Sequence, residues 1–148
     1  MEYKFYGNEV TDEILNNSEI RPDIRNPKQL YDALLNIWCE YTCAPRLREE
    51  WSLENITVGQ CSITAFLCQD IFGGVVYGLK TPTGGIHCYN VIDGKVFDLT
   101  SEQFGEDACK LCYDLDVNEV QTRDMAHHFG KEEKKLRYEY LREHLMNL

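Results

Sequence analysis

The order of signals along the chain predicts an α+β fold: helices first, then an antiparallel sheet, then a C-terminal helix. Three observations carry this. Tyr31, Leu34, Leu35 and Trp38 recur at helical spacing. Residues 60–72 are apolar around most of a helix circumference, which marks a buried helix starting at Cys61. Asp93-Gly94 stands between two runs rich in β-branched and aromatic residues, the strongest two-residue hairpin signal.

Each element has its own local justification. Residues 1–26 are a polar, mixed N-terminal segment, and residues 27–148 are expected to form a single α+β domain. Pro27 suits the first position of a helix running over 28–42, whose stripe closes at Tyr41 or Thr42 and which Pro45 ends. A charged connection over 46–58 holds Trp51 and Asn55. In the next helix Ile63, Phe66, Leu67 and Ile71 form one face, and Cys61, Ala65, Cys68 and Phe72 another, until Gly73-Gly74 stops it. Val75–Lys80 reads as a strand, Thr81–Gly85 as a loop, and Ile86–Ile92 with Lys95–Thr100 as a hairpin. Residues 101–130 carry mixed signals: a short helix after Ser101 and a strand near Val117–Val120. Residues 131–147 read as a charged helix with Leu136, Tyr140, Leu141 and Leu145 inward.

Composition narrows the function classes. The chain has 148 residues and a net charge of −10. A basic footprint for phosphates is absent, so nucleic acid is not an expected partner, and the acidic balance weighs slightly against anionic substrates. No apolar run approaches the roughly 20 residues that span a bilayer, and no charged start leads into an apolar core. The expectation is a cytoplasmic protein away from membranes. Seven cysteines is an odd number, and without an export signal they read as reduced thiols, mostly small buried hydrophobes.

The hairpin allows a geometric test. A two-residue turn pairs Ile92 with Lys95, Val91 with Val96, Asn90 with Phe97, Tyr89 with Asp98 and His87 with Thr100. His87, Tyr89, Asp98 and Thr100 then share one face, with Cys88, Asn90, Phe97 and Leu99 on the other. His87 and Asp98 become diagonal neighbours, roughly 7–8 Å apart at the backbone and within side-chain reach. A slip of one residue would separate them.

Cys61 lies in the first turn of the buried helix, where free N–H groups and the positive dipole end favour a thiolate. An adjacent imidazolium would favour it further, and a carboxylate would orient that imidazolium. If the helix packs on the sheet face bearing His87, then Cys61, His87 and Asp98 meet as nucleophile, base and orienter. Helix N–H groups, and the Gln60 amide, are candidate oxyanion donors. Thr100 is placed to support the dyad, Trp51 to wall the site, and Gly85 to let substrate backbone approach. Asn90, on the far face, reads as structural.

Gly59-Gln60-Cys61, His87-Cys88-Tyr89-Asn90 and Asp98-Leu99-Thr100-Ser101-Glu102-Gln103-Phe104 resemble a small bacterial family called YunG-like. Its pattern runs Gly-Gln-Cys, then His-Tyr-Trp-Asn, then Asp-Leu-Thr-x-x-Gln-Phe. Trp38-Cys39, Thr42-Cys43, Pro45, Trp51, Phe72-Gly73-Gly74 and Arg137-Tyr138 agree as well. Cys88-Tyr89 departs from it, where the family carries two aromatics. The order Cys, His, Asp on helix, strand and next strand also looks like the papain-like and transglutaminase-like superfamily. That likeness implies a thiol hydrolase or acyl transferase in which Cys61, His87 and Asp98 keep these roles.

The expected activity is therefore cysteine-dependent chemistry on a peptide or other amide-containing substrate, with no cofactor and no metal. Two other readings stay open. One is a non-catalytic binding module with a protein partner. The other is a zinc-structured domain using Cys39, Cys43, Cys109 and Cys112, with His127-His128 nearby.

Overall fold

A computed structural model describes residues 2–124 and 131–148. Asn26 opens helix α1 (Pro27–Leu34) by accepting from the Gln29 N–H, with Pro27 in the first turn, where its missing N–H costs nothing. The helix is shorter than its apolar stripe predicts. Beyond Leu34 the chain continues in turns, with the N–H groups of Asn36 and Ile37 donating back to Ala33 and Leu34. Thr42 Oγ1 binds both the N–H and the C=O of Cys39. Such side-chain bonds to the backbone compete with helix continuation. The stripe is buried all the same at Leu34, Trp38 and Thr42, while Tyr41 is exposed.

Helix α2 (Cys61–Phe72) has Ile63, Phe66, Leu67 and Cys68 fully enclosed. Gly73 ends it with φ 84°. Gly74 follows at φ +75°, and a Cβ there would meet the Val91 carbonyl oxygen at 2.4 Å, so the close passage of chain onto sheet requires glycine.

Four strands, β1 (Val75–Lys80), β2 (Ile86–Ile92), β3 (Lys95–Phe97) and β4 (Glu119–Gln121), form an antiparallel sheet in the order β3-β2-β1-β4. The hairpin pairs Ile92 with Lys95, Val91 with Val96 and Asn90 with Phe97, the register its turn predicts. The strand ends at Phe97, three residues before the predicted Thr100. Asp98 instead bridges to Tyr6, donating its N–H to the Tyr6 carbonyl at 2.9 Å. Its own carboxylate accepts the Thr100 N–H, an Asx turn that pulls the chain out of the sheet into a 3-10 segment, Ser101–Lys110.

The sheet divides two apolar clusters. On one face Val76, Cys88, Phe97 and Leu99 join α1, α2 and the C-terminal helix α3 (Glu132–Met146). On the other, Leu79, Tyr89 and Val91 meet Leu111, with Phe104 and Tyr113 against them. Asn90 Nδ2 donates to the Ala65 carbonyl at 2.8 Å, so α2 covers the Cys88 and Asn90 face. This corrects the expectation that α2 packs on the face of His87. Alternation puts His87 on the opposite side.

Phe5, Ile14 and Ile24 of the N-terminal segment are buried in the larger cluster. In α3 the inward residues are Arg137, Tyr138, Leu141 and Leu145; Leu136 is exposed and Tyr140 half-buried, contrary to the predicted stripe. Burial is open to the two polar residues because their tips are satisfied. Arg137 donates to Glu133 and to the Thr42 carbonyl, each at 2.9 Å, and Tyr138 donates to Asp70. Among the described residues no helix is long and apolar enough to cross a membrane.

Candidate active site

The approach to the nucleophile is set by Gly59. Its φ is +71°, and a Cβ there would lie 2.5 Å from Cys43 Sγ and 2.8 Å from the Ala44 nitrogen. Only glycine lets the chain press against this segment, where its carbonyl accepts from the Ala44 N–H at 3.0 Å. Gln60 then takes the position before α2 without a side-chain capping bond, and Cys61 is the first helical residue. Cys61 is half-buried and lines a cleft of about 590 Å³ together with Gly59, Ser62, Gly85, His87 and Phe104.

His87 is 2% exposed and Asp98 1%. His87 Nε2 lies 2.6 Å from Asp98 Oδ2, which leaves Nδ1 as the ring nitrogen free for Cys61. Both carboxylate oxygens are otherwise occupied. Tyr113 donates its hydroxyl to Oδ2 at 2.7 Å; the Thr100 N–H and Oγ1 donate to Oδ1 at 3.1 and 3.3 Å. Phe104 stands edge-on to the imidazole, with ring centroids 4.8 Å apart. The histidine is thus clamped on several sides, as an orienting network requires.

Electrostatics separates the charges. A hydrogen bond from the Cys88 thiol, and then the hydrogen bond and charge of His87, hold the Cys61 thiol well below its ordinary range against the cost of burial. Burial opposes the charge on His87, but the Asp98 carboxylate and the Cys61 sulfur outweigh it and raise the ring to about 10. The Cys88 thiol is pushed up in turn by its bond to Cys61 and by burial. These directions favour a thiolate at Cys61 beside an imidazolium at His87, with the Cys88 thiol as donor. Cys88, the departure from the family pattern, therefore sits on the sulfur itself.

Linkage gives the pH dependence of stability. His87, raised, favours folding fully below about pH 6.5 and loses this as pH climbs towards about 10. Cys61, depressed, favours folding fully above about pH 8.5 and loses this as pH falls. Between about pH 6.5 and 8.5 the folded and unfolded pair each hold one proton, so the two slopes cancel. The urea midpoint is expected to carry no slope from this pair across that window. In Cys61→Ser it should fall with rising pH relative to wild type, as only the His87 slope remains. Parallel wild-type and variant profiles would mean that Cys61 keeps its proton.

The remaining predicted residues fall into place differently. Thr100 orients Asp98 from behind. Gly85 lines the cleft and donates to Thr81 Oγ1 at 3.1 Å. Gln60 is fully buried, with Nε2 donating to the Cys39 carbonyl at 3.2 Å and Oε1 without a partner, so it anchors the helix start and stands outside the cleft lining. Trp51 donates to the Ile56 carbonyl at 2.9 Å and also stands outside that lining. Gln103 lines the cleft, donating to the Thr100 carbonyl at 3.0 Å and accepting from the Gly59 N–H at 3.5 Å. It ties the aspartate motif to the cysteine motif.

Sequence reasoning missed Tyr113, Phe104 and Tyr6 as site residues. Tyr6 stacks on Tyr113 with centroids 3.7 Å apart, and its N–H donates to Ser101 Oγ at 2.8 Å. Phe104 closes the Asp98–Phe104 motif, but nothing local set its ring against His87, and Tyr6 and Tyr113 carry no local signal, because these roles come from contacts across the fold. Cys39, Cys43, Cys109 and Cys112 are not gathered: among the described residues no three His, Cys, Asp or Glu side chains are grouped to hold a metal. His127-His128 lies outside the described residues.

Comparisons with known proteins come to one family. Residues 26–148 match the family model described as YunG protein. The "Uncharacterized protein YunG" of Bacillus subtilis (strain 168) is 44% identical over 55 residues, covering 37% of this chain and 47% of that protein. The match thus spans less than half of that relative's length. No solved structure matches the chain.

Proposed function

We propose that this chain, which belongs to the YunG family, is a cysteine-dependent hydrolase or acyl transferase using Cys61, His87 and Asp98 in a papain-like or transglutaminase-like arrangement. The observation that carries this is the half-buried Cys61 at the start of α2, facing a histidine whose far nitrogen is held by a buried carboxylate at 2.6 Å.

The thiolate attacks the carbonyl carbon of an amide or other acyl group, forming a carbon–sulfur bond. The developing oxyanion is met by the free N–H groups at the start of α2. Since the Gln60 amide already serves the Cys39 carbonyl, the backbone carries this role. The tetrahedral adduct collapses, and the leaving amine takes the proton from the His87 imidazolium. His87, now neutral, takes a proton from water or from an acceptor amine, which attacks the thioester. Collapse of this second adduct breaks the carbon–sulfur bond and expels the Cys61 thiolate beside the His87 imidazolium, which restores the starting pair. Asp98 stays ionised and holds the ring throughout.

Iodoacetamide labelling of all seven cysteines, followed by peptide mass spectrometry against pH, tests this reading. Cys61 should stay reactive as pH falls below about 8.5, where a free thiol loses its thiolate, with exposed Cys109 labelled in the same protein for comparison. If Cys61 follows the same pH curve as Cys109, the pair does not form and the reading fails.

A further inference from the structure

The chain has a net charge of −10, yet the cleft beside Cys61 reverses that sign. Four cations line it, Arg46, Lys131, Lys134 and Arg137, against two carboxylates, Glu50 and Glu133. Glu133 is already taken by Arg137 Nε at 2.9 Å. Among the described residues, Arg46, Lys131 and Lys134 have no carboxylate within ion-pair distance.

Lys134 is the informative member. It is half-buried in the cleft wall, so it has given up hydration without gaining a counter-ion. Burial first, then the neighbouring charges of Lys131, Arg137 and Arg46, depress its ammonium below the ordinary range, with Glu133 offsetting only part. Its field also reaches the Cys88 thiol that bonds Cys61. The uncompensated cations and the nucleophile therefore share one space.

We propose that the cleft takes an acyl substrate bearing a carboxylate close to the bond that Cys61 attacks, seated on Lys134 with Arg46 and Lys131 at the rim. The inference rests on the reading of Cys61 as the nucleophile. It reverses what net charge alone suggested, because a local array of cations in a cleft outweighs the distant acidic surface, which salt screens. The carboxylate could belong to an acidic side chain or to the free end of a peptide.

Iodoacetate and iodoacetamide are nearly equal in size and differ in charge. Their rate ratio at Cys61, divided by the same ratio at exposed Cys109 in the same full-length protein, reads the local field. It should exceed unity by roughly tenfold and fall severalfold in Lys134→Gln, with Cys109 unaffected. A normalised ratio at or below unity, or one unmoved by both Lys134→Gln and Arg46→Gln, overturns the proposal. So does silence of Cys61 towards both reagents. A Cys61 with an ordinary iodoacetamide profile but a raised, Lys134-dependent ratio sinks the catalytic reading and leaves the anion subsite standing.

Protection of Cys61 from iodoacetamide then identifies the source. An acetylated, amidated peptide containing Glu should protect better than its Gln counterpart if the side chain is recognised. The free-acid Gln peptide should protect better than its amide if the terminus is recognised. Equal protection by all of them, or stronger protection by inorganic phosphate, overturns the carboxylate assignment.

Discussion

His87→Ala is expected to slow iodoacetamide alkylation of Cys61 about tenfold near pH 6.5. An ordinary thiol is only about 1% ionised at that pH, so restoring ordinary acidity reduces the thiolate by up to about a hundredfold. The acidic thiolate of the wild type is intrinsically less nucleophilic, with a Brønsted slope of roughly 0.4–0.5, and this trims the observable loss. The Cys88 bond to the Cys61 sulfur survives the substitution, which is a second reason for a partial loss. Labelling at Cys109 serves as the internal control. An unchanged rate at Cys61 would show that the imidazole contributes nothing to its acidity.

The second large effect is at Asp98. Asp98→Ala removes the acceptor for His87, the Tyr113 hydroxyl and the Thr100 N–H and hydroxyl at one stroke. Three of these four donors sit on residues at least 98% buried or beside them, so water does not readily replace the carboxylate. Removing one partner of a buried charged pair costs about 3–5 kcal/mol, and urea denaturation at pH 7 should show a loss near the lower end because His87 can shed its proton. Asp98→Asn keeps the shape and one acceptor oxygen, so it should lose less stability while still depriving His87 of its counter-charge. A loss below about 1 kcal/mol in Asp98→Ala would mean that the network is not holding the fold at this point.

Much of the fold was legible because local chemistry dictated it. Asp93-Gly94 has the backbone freedom that a tight hairpin needs, and that turn alone set the pairing of β2 with β3. Gly73 and Gly74 marked where α2 had to stop. The largely apolar circumference of residues 63–71 marked it as buried. The meeting of His87 with Asp98 followed from the same register and side-chain reach.

Elsewhere the sequence pattern pointed the wrong way, and each failure has a tertiary cause. The stripe through Tyr41 and Thr42 described burial, not helix, since Thr42 preferred the backbone of Cys39. Leu136 looked inward by hydrophobicity, but Arg137 and Tyr138 took the interior because Glu133, Thr42 and Asp70 stood ready to satisfy their polar ends. Gln60 looked like an oxyanion donor until burial placed its amide on the Cys39 carbonyl.

The family motifs, the hairpin register, the buried helix beginning at Cys61 and the identity of the histidine–carboxylate pair were all readable from the order of residues. Those depend on neighbours a few residues apart or on one turn. Long-range packing laid α2 across the Cys88 face, brought Tyr113 and Tyr6 to Asp98 beside the expected Thr100, and gathered cations from the 45–50 segment and α3 on the cleft of an acidic chain. These depend on groups brought together across long stretches of chain, such as Tyr6 and Ser101, whose pairing no local period or spacing encodes.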